Sequence, residues 1–288
     1  MKQFVQYILI LLAIVISWQV IGEFAYTYVY NHGSPRNKVM WVRSMNKDSL
    51  DYVVLGSSRS YYHINPLIIE EETGKKGLNL AYNNSYPFEL KLMTLEVLKN
   101  IEVEDIFIQI DYTYNMEVPD KMGQVPWMPY LKEASIYSNY DNTNIQYKLF
   151  RWIPFYRYQY YESELGFRNI SLSLLGKKAN FYQNDGFKPL HGEIQQLDVF
   201  DHYLVEKENY LLKDVVSACN DQKTKVHFFT APIYHFKGNL EIMDRWLPNY
   251  RDYTHLIKER SLFSDPIHLK EEGANQFTRQ FITDYFNP

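Results

Sequence analysis

The chain has 288 residues, of which 46% are hydrophobic and 22% are charged, a composition that is typical of a globular protein and excludes a disordered chain. Its formal net charge of -4 provides no strong positive field, so we do not expect nucleic acid as a partner. Cys219 is the single cysteine, which excludes a disulfide within the chain and leaves the redox compartment open.

The N-terminal segment at residues 4–21 reads FVQYILILLAIVISWQVI and contains no charged side chain. Its length is close to the roughly 20 residues with which a helix crosses a bilayer. A cleaved signal peptide is the alternative, but the apolar run is longer than a typical signal core and no small-x-small cleavage site follows it. We therefore predict an uncleaved membrane anchor over residues 1–30.

The charges beside this segment only partly indicate its orientation. Lys2 precedes the apolar run, but Arg36, Lys38 and Arg43 follow it, and basic residues favour the cytoplasmic side. We predict a short cytoplasmic tail, a single pass through the cytoplasmic (inner) membrane, and an extracytoplasmic body formed by residues 31–288.

Strand and helix patterns alternate through this body. Short apolar runs predict strands at residues 52–55, 77–81, 106–110 and 225–230. Apolar residues at helical spacing predict helices at residues 86–100 and 203–219, and a last helix that carries Phe277, Phe281 and Tyr285. This order predicts a three-layer α/β/α domain with a mainly parallel sheet.

The alternation breaks between about residues 118 and 200, where aromatic and proline residues are frequent, as in WIPFYRYQYY at residues 152–161. This stretch is too long for an ordinary connection, so we interpret it as an insertion over the C-terminal edge of the sheet. Its aromatic rings can stack on sugars, or they can form a satellite core or lie at the membrane interface.

The first chemical motif is DYVVLGSSRS at residues 51–60, where a buried strand ends in Gly56, Ser57 and Ser58. Ligands of a parallel α/β sheet gather at the carboxyl ends of its strands. A glycine permits a sharp turn there, and Ser58 can present a nucleophilic hydroxyl beside the backbone N–H groups of the next helix. The alternative is that Ser57 merely caps that helix.

The second motif is SDPIHLKEEGANQF at residues 264–277, in which Asp265 precedes His268 by three residues. In a turn, this spacing lets the carboxylate accept a hydrogen bond from one imidazole nitrogen while the other nitrogen faces outward. Asp252 and His255 share the spacing. They lie in a charged stretch that we expect to be a surface helix, and we assign them no role.

Together, the two motifs resemble the first and last blocks of the SGNH, or GDSL-like, hydrolase superfamily. The resemblance implies that Ser58 is the catalytic nucleophile, that His268 is the general base and that Asp265 orients the imidazole. It implies no cofactor, and the scattered histidines of the sequence do not predict a metal site.

Two blocks that supply the oxyanion hole in this superfamily are altered. Asn84 lies near the glycine expected in the second block, and residues 111–115 lack the Gly-x-Asn pattern of the third. The candidates for the oxyanion hole are therefore Ser58, through its N–H group, and Asn84, which can equally be a turn residue. Arg59 is a candidate for binding an anionic substrate, with a solvated surface charge as the alternative.

An apolar anchor followed by a GSSR block is most similar to membrane-tethered members of the superfamily, which are related to alginate O-acetyltransferase and D-alanyl-lipoteichoic-acid transfer proteins. That similarity implies a serine esterase or O-acyltransferase that acts on cell-envelope polysaccharide. It implies a cell-surface polysaccharide, and a membrane-embedded acyl-donor protein, as partners. The alternative is an inactive relative that binds glycan or acts as a scaffold.

Overall fold

The computed structural model describes residues 1–141, 144–194 and 199–286. They form two compact units, one built from Met1–Ser44 and Gln124–Ala179 and the other from Met45–Gly123 and Asn180–Pro288. The predicted division into an anchor at 1–30 and a body at 31–288 with an insertion at about 118–200 stays a prediction. Of these predicted segments, residues 142–143, 195–198 and 287–288 lie outside the described residues.

The α-helices of the described residues range from a single turn to one long N-terminal helix. They are α1 (Lys2–His32), α2 (Lys38–Ser44), α3 (Ser58–Tyr61), α4 (Pro66–Thr73), α5 (Pro87–Asn100), α6 (Ala134–Tyr137), α7 (Ile145–Trp152), α8 (Tyr156–Tyr160), α9 (Glu162–Leu165), α10 (Phe167–Leu174), α11 (Tyr210–Asp221) and α12 (Glu271–Tyr285). Short 3-10 helices lie at Val125–Tyr130, Asn180–Asn184, Leu240–Arg245 and Arg260–Leu262.

Among the residues that the structure describes, all strands belong to the second unit. They are β1 (Asp48–Leu55), β2 (Gly77–Asn79), β3 (Ile101–Gln109), β4 (Phe200–His202), β5 (Lys225–Thr230), β6 (Phe236–Gly238), β7 (Tyr250–Asp252), β8 (Phe263–Asp265) and β9 (His268–Leu269). Within the described part of the chain, five strands form a sheet in the order β2-β1-β3-β5-β7, and every pair in it is parallel. The predicted α/β fold with a parallel sheet is confirmed.

Alternation along the strands explains how helices cover both faces of this sheet. Successive side chains of a strand point to opposite faces. Tyr52, Phe107 and Phe229 point into one core, where they meet Ile69 of α4 and Phe281 of α12. α5 and α11 pack against each other on the strands of the same sheet. The arrangement fits three layers, and it brings the carboxyl ends of β1, β3 and β5 to one edge.

The segment around Asp252 differs from its expected structure. Tyr250–Asp252 forms the edge strand β7, which pairs with β5, and is not helical. The Asp252 carboxylate accepts hydrogen bonds from the N–H and hydroxyl groups of Thr254. This carboxylate therefore stabilises a local turn, because both of these donors belong to a residue only two positions further along the chain.

The first unit is built around aromatic side chains and the C-terminal part of α1. Its largest buried side chains include Trp127, Tyr130, Phe150 and Tyr158. Of the roles left open for the aromatic segment, a core of its own is therefore borne out for these rings. The Tyr130 hydroxyl donates to the carbonyl oxygen of Tyr30 in α1 at 2.9 Å.

The same helix is long and apolar enough to cross a membrane. Residues 1–18 are exposed along its whole circumference. Length and composition are also compatible with a signal sequence. They indicate a possible membrane span, but they do not identify the type of membrane or the side on which the body lies.

Candidate active site

A tight turn follows the carboxyl end of β1. Gly56 has a φ of 150°, and a Cβ atom there would lie 2.7 Å from Cβ of Ser60 and 2.8 Å from Cβ of Gln109. Such distances are shorter than real carbon contacts, so this position excludes any side chain. The turn can therefore start α3 at Ser58, directly above the end of the strand.

Ser57 is the N-cap of α3. Its buried hydroxyl accepts from the N–H of Arg59 at 3.3 Å and donates to Oε1 of Gln109 at 2.8 Å. The Ser57 N–H donates to the same Oε1 at 3.1 Å. The capping alternative is thus confirmed for Ser57, and the partly exposed hydroxyl of Ser58 remains for chemistry.

Ser58, His268 and Asp265 lie together in a chain of hydrogen bonds. The Ser58 Oγ atom lies 2.8 Å from His268 Nε2, although 210 residues separate the two in sequence. His268 Nδ1 lies 2.8 Å from Asp265 Oδ2. The antiparallel pair of β8 and β9 sets Asp265 opposite His268, so the hairpin presents the imidazole to the serine. The geometry is that of a nucleophile, a base and an orienting acid.

The electrostatics of Asp265 suit the orienting position. Partial burial raises the pKa of its carboxyl, but hydrogen bonds from His268 and from the N–H groups of Ile267 and His268 outweigh burial and lower the pKa below its ordinary value. The carboxylate is therefore ionised at neutral pH and accepts the Nδ1 proton. This tautomer leaves Nε2 as the acceptor for the Ser58 hydroxyl proton.

Arg59 is completely buried, and its guanidinium joins the ends of three strands to the β8–β9 turn. It forms an ion pair with Asp111, which follows β3. Its Nη2 donates to the carbonyl oxygen of Ala231 and, at 3.1 Å, to that of Pro232, both after β5. Its Nε donates to the carbonyl oxygen of Ile267 in the β8–β9 turn at 3.3 Å.

These contacts correct the prediction for Arg59. The solvated alternative is wrong, because the residue is 0% exposed. Burial also argues against substrate binding, since the guanidinium bonds to oxygen atoms of the protein itself. We reassign Arg59 as a positioning residue that holds the Ser58 turn against the turn that carries His268.

Gln109 and Asp111 complete this support and were missed from the sequence. Asp111 Oδ2 accepts from Gln109 Nε2 at 2.7 Å, while Gln109 Oε1 binds the N–H and hydroxyl groups of Ser57. Both side chains are buried. The available signal was the pair of polar residues at the end of the apolar run IFIQID, because buried polar groups require partners.

His63 lies beneath the site. Its Nε2 accepts from the N–H of Leu269 at 2.9 Å, and its ring is 6.2 Å from that of His268. Burial lowers the pKa of His63 well below its usual value, and Coulombic interactions with Arg59 and His268 lower it further. His63 therefore stays neutral and stabilises the strand that carries the candidate base.

This lowered pKa predicts a loss of stability in acid. Below the ordinary histidine pKa of 6.5, the unfolded chain binds a proton at His63 that the folded protein does not bind. The contribution to the free energy of unfolding falls as pH decreases, by up to about 1.4 kcal/mol per pH unit, until the lower folded pKa is reached. Urea unfolding at pH 7 and pH 5 measures the free energy of unfolding. Between these pH values it should decrease less for His63→Gln than for wild type.

The exposed His255 supplies the matched control for this measurement. His255→Gln should lose as much stability as wild type between the two pH values. Equal losses in wild type and in both variants would contradict the assignment to His63.

The two candidates for the oxyanion hole, Ser58 and Asn84, differ in their surroundings. Ser58 is the first residue of α3, so its N–H group has no partner within the helix. Asn84 has a φ of 60°, and its amide nitrogen lies 3.5 Å from the Tyr86 hydroxyl. The left-handed backbone is typical of a turn residue. The role of Asn84 as a donor stays a prediction.

No protein-family model matches the chain, and no curated protein matches it significantly. The superfamily resemblance therefore stays a prediction, carried by the two motifs and their geometry. Among the described residues, no three or more His, Cys, Asp or Glu side chains form a group that could hold a metal ion.

Proposed function

We propose that this chain is a membrane-anchored serine esterase or O-acyltransferase of the SGNH-like class. One observation carries the proposal: the continuous hydrogen-bonded series from Ser58 Oγ through His268 to Asp265, with both distances at 2.8 Å. General-base activation of a serine requires contact between nucleophile and base, and the hydrogen-bonded third group holds the base in its reactive tautomer.

In the proposed mechanism, Ser58 Oγ attacks the carbonyl carbon of an acyl ester while His268 Nε2 takes the hydroxyl proton. The tetrahedral oxyanion accepts a hydrogen bond from the Ser58 N–H. His268 returns the proton to the leaving alcohol as the carbon–oxygen bond breaks, which leaves an acyl-serine. Water or a sugar hydroxyl then attacks that ester, with His268 again acting as base, and regenerates Ser58.

The proposed location is the cytoplasmic (inner) membrane, with α1 as an uncleaved single-pass anchor and the body outside the cytoplasm. Packing of the C-terminal part of α1 supports retention of the helix. Glu23 of α1 forms an ion pair with the completely buried Arg157, and the Tyr30 hydroxyl donates to the carbonyl oxygen of Leu165. Cleavage beyond Glu23 would remove the partner of a buried charge, which is strongly destabilising.

The proposed substrate is an acylated cell-envelope polysaccharide, and a membrane-embedded acyl-donor protein is the proposed partner for transfer. Both follow from the resemblance of the GSSR and DPIH blocks to membrane-tethered members of the superfamily. The hydroxyl that receives the acyl group decides between esterase and transferase, and the same three side chains serve both reactions.

The alternative, an inactive glycan-binding or scaffold protein, is favoured by the altered oxyanion region. Asn84 has the backbone of a turn residue, and Asp111, in the altered third block, is occupied by Arg59. Purified wild-type protein should cleave p-nitrophenyl acetate and label with a fluorophosphonate probe. Protein that binds envelope polysaccharide but does neither would support the alternative.

A further inference from the structure

The first unit exposes an apolar loop where α1 begins to pack into the protein. Residues 152–156, which run from the last residue of α7 to the first residue of α8, form this loop, which we call the Trp152 loop. Trp152 is 73% exposed, and Ile153 is also exposed. Side chains of this size usually lose exposure on folding, so a patch of them indicates a surface that something else covers.

The Trp152 loop is attached to α1 at one level of that helix. The ring of Phe155 lies edge-on to that of Tyr26, with 4.8 Å between the centroids. A Cβ atom on Gly22 would lie 3.1 Å from the Phe155 ring. The Phe155 N–H donates to Glu23 Oε2 at 2.9 Å. These contacts place the loop beside residues 22–26.

Buried charge holds this attachment in place. The Arg157 guanidinium binds both oxygens of Glu23, at 2.8 and 3.1 Å, and Lys132 adds a contact of 2.7 Å. Bidentate arginine–carboxylate pairs have a defined geometry, so the loop keeps its height along α1.

Residues 22–26 directly follow the apolar run at residues 4–21, of which residues 4–18 are exposed. Trp18 is 71% exposed and lies four residues before Gly22, or about 6 Å along the helix axis. Tryptophan concentrates where hydrocarbon meets headgroups. The Arg151 guanidinium lies 3.9 Å from the centroid of the Tyr137 ring and 5.5 Å from that of the Trp152 ring, so a cation lies near the exposed indole. Aromatic rings with basic side chains suit the phosphate level of a bilayer.

We propose that the Trp152 loop lies in the headgroup region of the bilayer that α1 spans, with lipid as the partner that covers it. The inference rests on the proposed membrane anchor. Lipid is favoured over a protein partner because the loop lies beside α1 at residues 22–26, where the apolar run of that helix ends. The exposed apolar surface of α1 and that of the loop are therefore adjacent.

The test uses the full chain in a Cys219→Ser background with one introduced cysteine that carries an environment-sensitive fluorophore. The protein is reconstituted in vesicles of phosphatidylcholine and phosphatidylglycerol that contain nitroxide-labelled lipid. A label at Trp152→Cys should be quenched at least about threefold more strongly than one at Leu175→Cys. Equal quenching at the two positions would overturn the proposal.

Leu175 is a matched control because it is 71% exposed in the same unit. It follows α10, where the Ser173 hydroxyl donates to the carbonyl oxygen of Ser34 beyond the end of α1. The end of α1 at His32 lies roughly 15 Å further along the helix axis than Gly22, from the rise per residue. If the Trp152 loop lies at the headgroups, Leu175 therefore lies in water.

A third label at Leu12→Cys separates this inference from the proposed anchor. Deep quenching at Leu12 with a water-exposed label at Trp152 would keep the anchor and overturn the loop assignment in favour of a protein partner. A mature chain that has lost residue 12, or lacks lipid contact there, would overturn the anchor and the inference together. Deep quenching at Leu12 with interfacial quenching at Trp152 supports both.

Discussion

Replacing Ser58 with alanine is expected to abolish covalent labelling by a fluorophosphonate probe and to lower kcat for p-nitrophenyl acetate by ~10³-fold or more. The Ser58 hydroxyl is the group bonded to His268 Nε2, and alanine leaves the base without a nucleophile to activate. Labelled and unlabelled protein are resolved by intact mass, and kcat is measured from initial rates in detergent.

Ser60 provides a matched control for this variant. It lies two residues away, is completely buried, and has a hydroxyl for which the described residues offer no hydrogen-bond partner. Ser60→Ala should therefore fold and label like wild type, because it removes no hydrogen bond of the side chain. Labelling that persists in Ser58→Ala would place the nucleophile elsewhere and remove the basis of the proposed mechanism.

Replacing Arg59 with methionine is expected to lower the free energy of unfolding by about 3–5 kcal/mol, because it leaves the Asp111 carboxylate buried without its partner. The side chains of the pair are each 1% exposed. Arg59→Met should also slow fluorophosphonate labelling, since the guanidinium holds the turn before His268 through Ile267. Urea unfolding and labelling rates measure the two effects.

The control is the exposed pair of Arg279 and Glu72, whose side chains are 59% and 37% exposed. Arg279→Ala should cost no more than about 1 kcal/mol, because water screens exposed ion pairs. Adding Asp111→Leu to Arg59→Met should recover part of the lost stability, since no buried charge then remains unpaired. An Arg59→Met variant as stable as Arg279→Ala would contradict the assigned role.

The sequence by itself determined the class of fold and the candidate chemical groups. Short apolar runs that alternate with helical patterns can be buried only between helices, so a parallel α/β sheet follows from the spacing alone. The glycine turn after β1 and the Asp-x-x-His motif were also recognisable, since both depend on residues within a few positions of each other. The apolar residues at 4–21 likewise indicated a helix long enough to cross a bilayer.

Only the tertiary structure decided which of these groups meet. Ser57 and Ser58 differ in their contacts because Gln109 binds the hydroxyl of Ser57, whereas the hydroxyl of Ser58 meets His268. Asp265 differs from Asp252 because a hairpin brings its histidine to the serine. Ser57 and Gln109 lie 52 residues apart in sequence, and Ser58 and His268 lie 210 residues apart. Local patterns carry no information about such distances, because strand order and the closure of long loops set them.

The buried charges were likewise beyond the reach of the sequence. Arg59 was a candidate for substrate binding or for a solvated surface charge, yet its pair with Asp111 forms only where the ends of β1, β3 and β5 converge. Glu23 lies two residues after the apolar run, and no sequence pattern indicated that it binds Arg157. A charged side chain needs a partner only if it is buried. Folding decides whether the side chain is buried and which residue pairs with it.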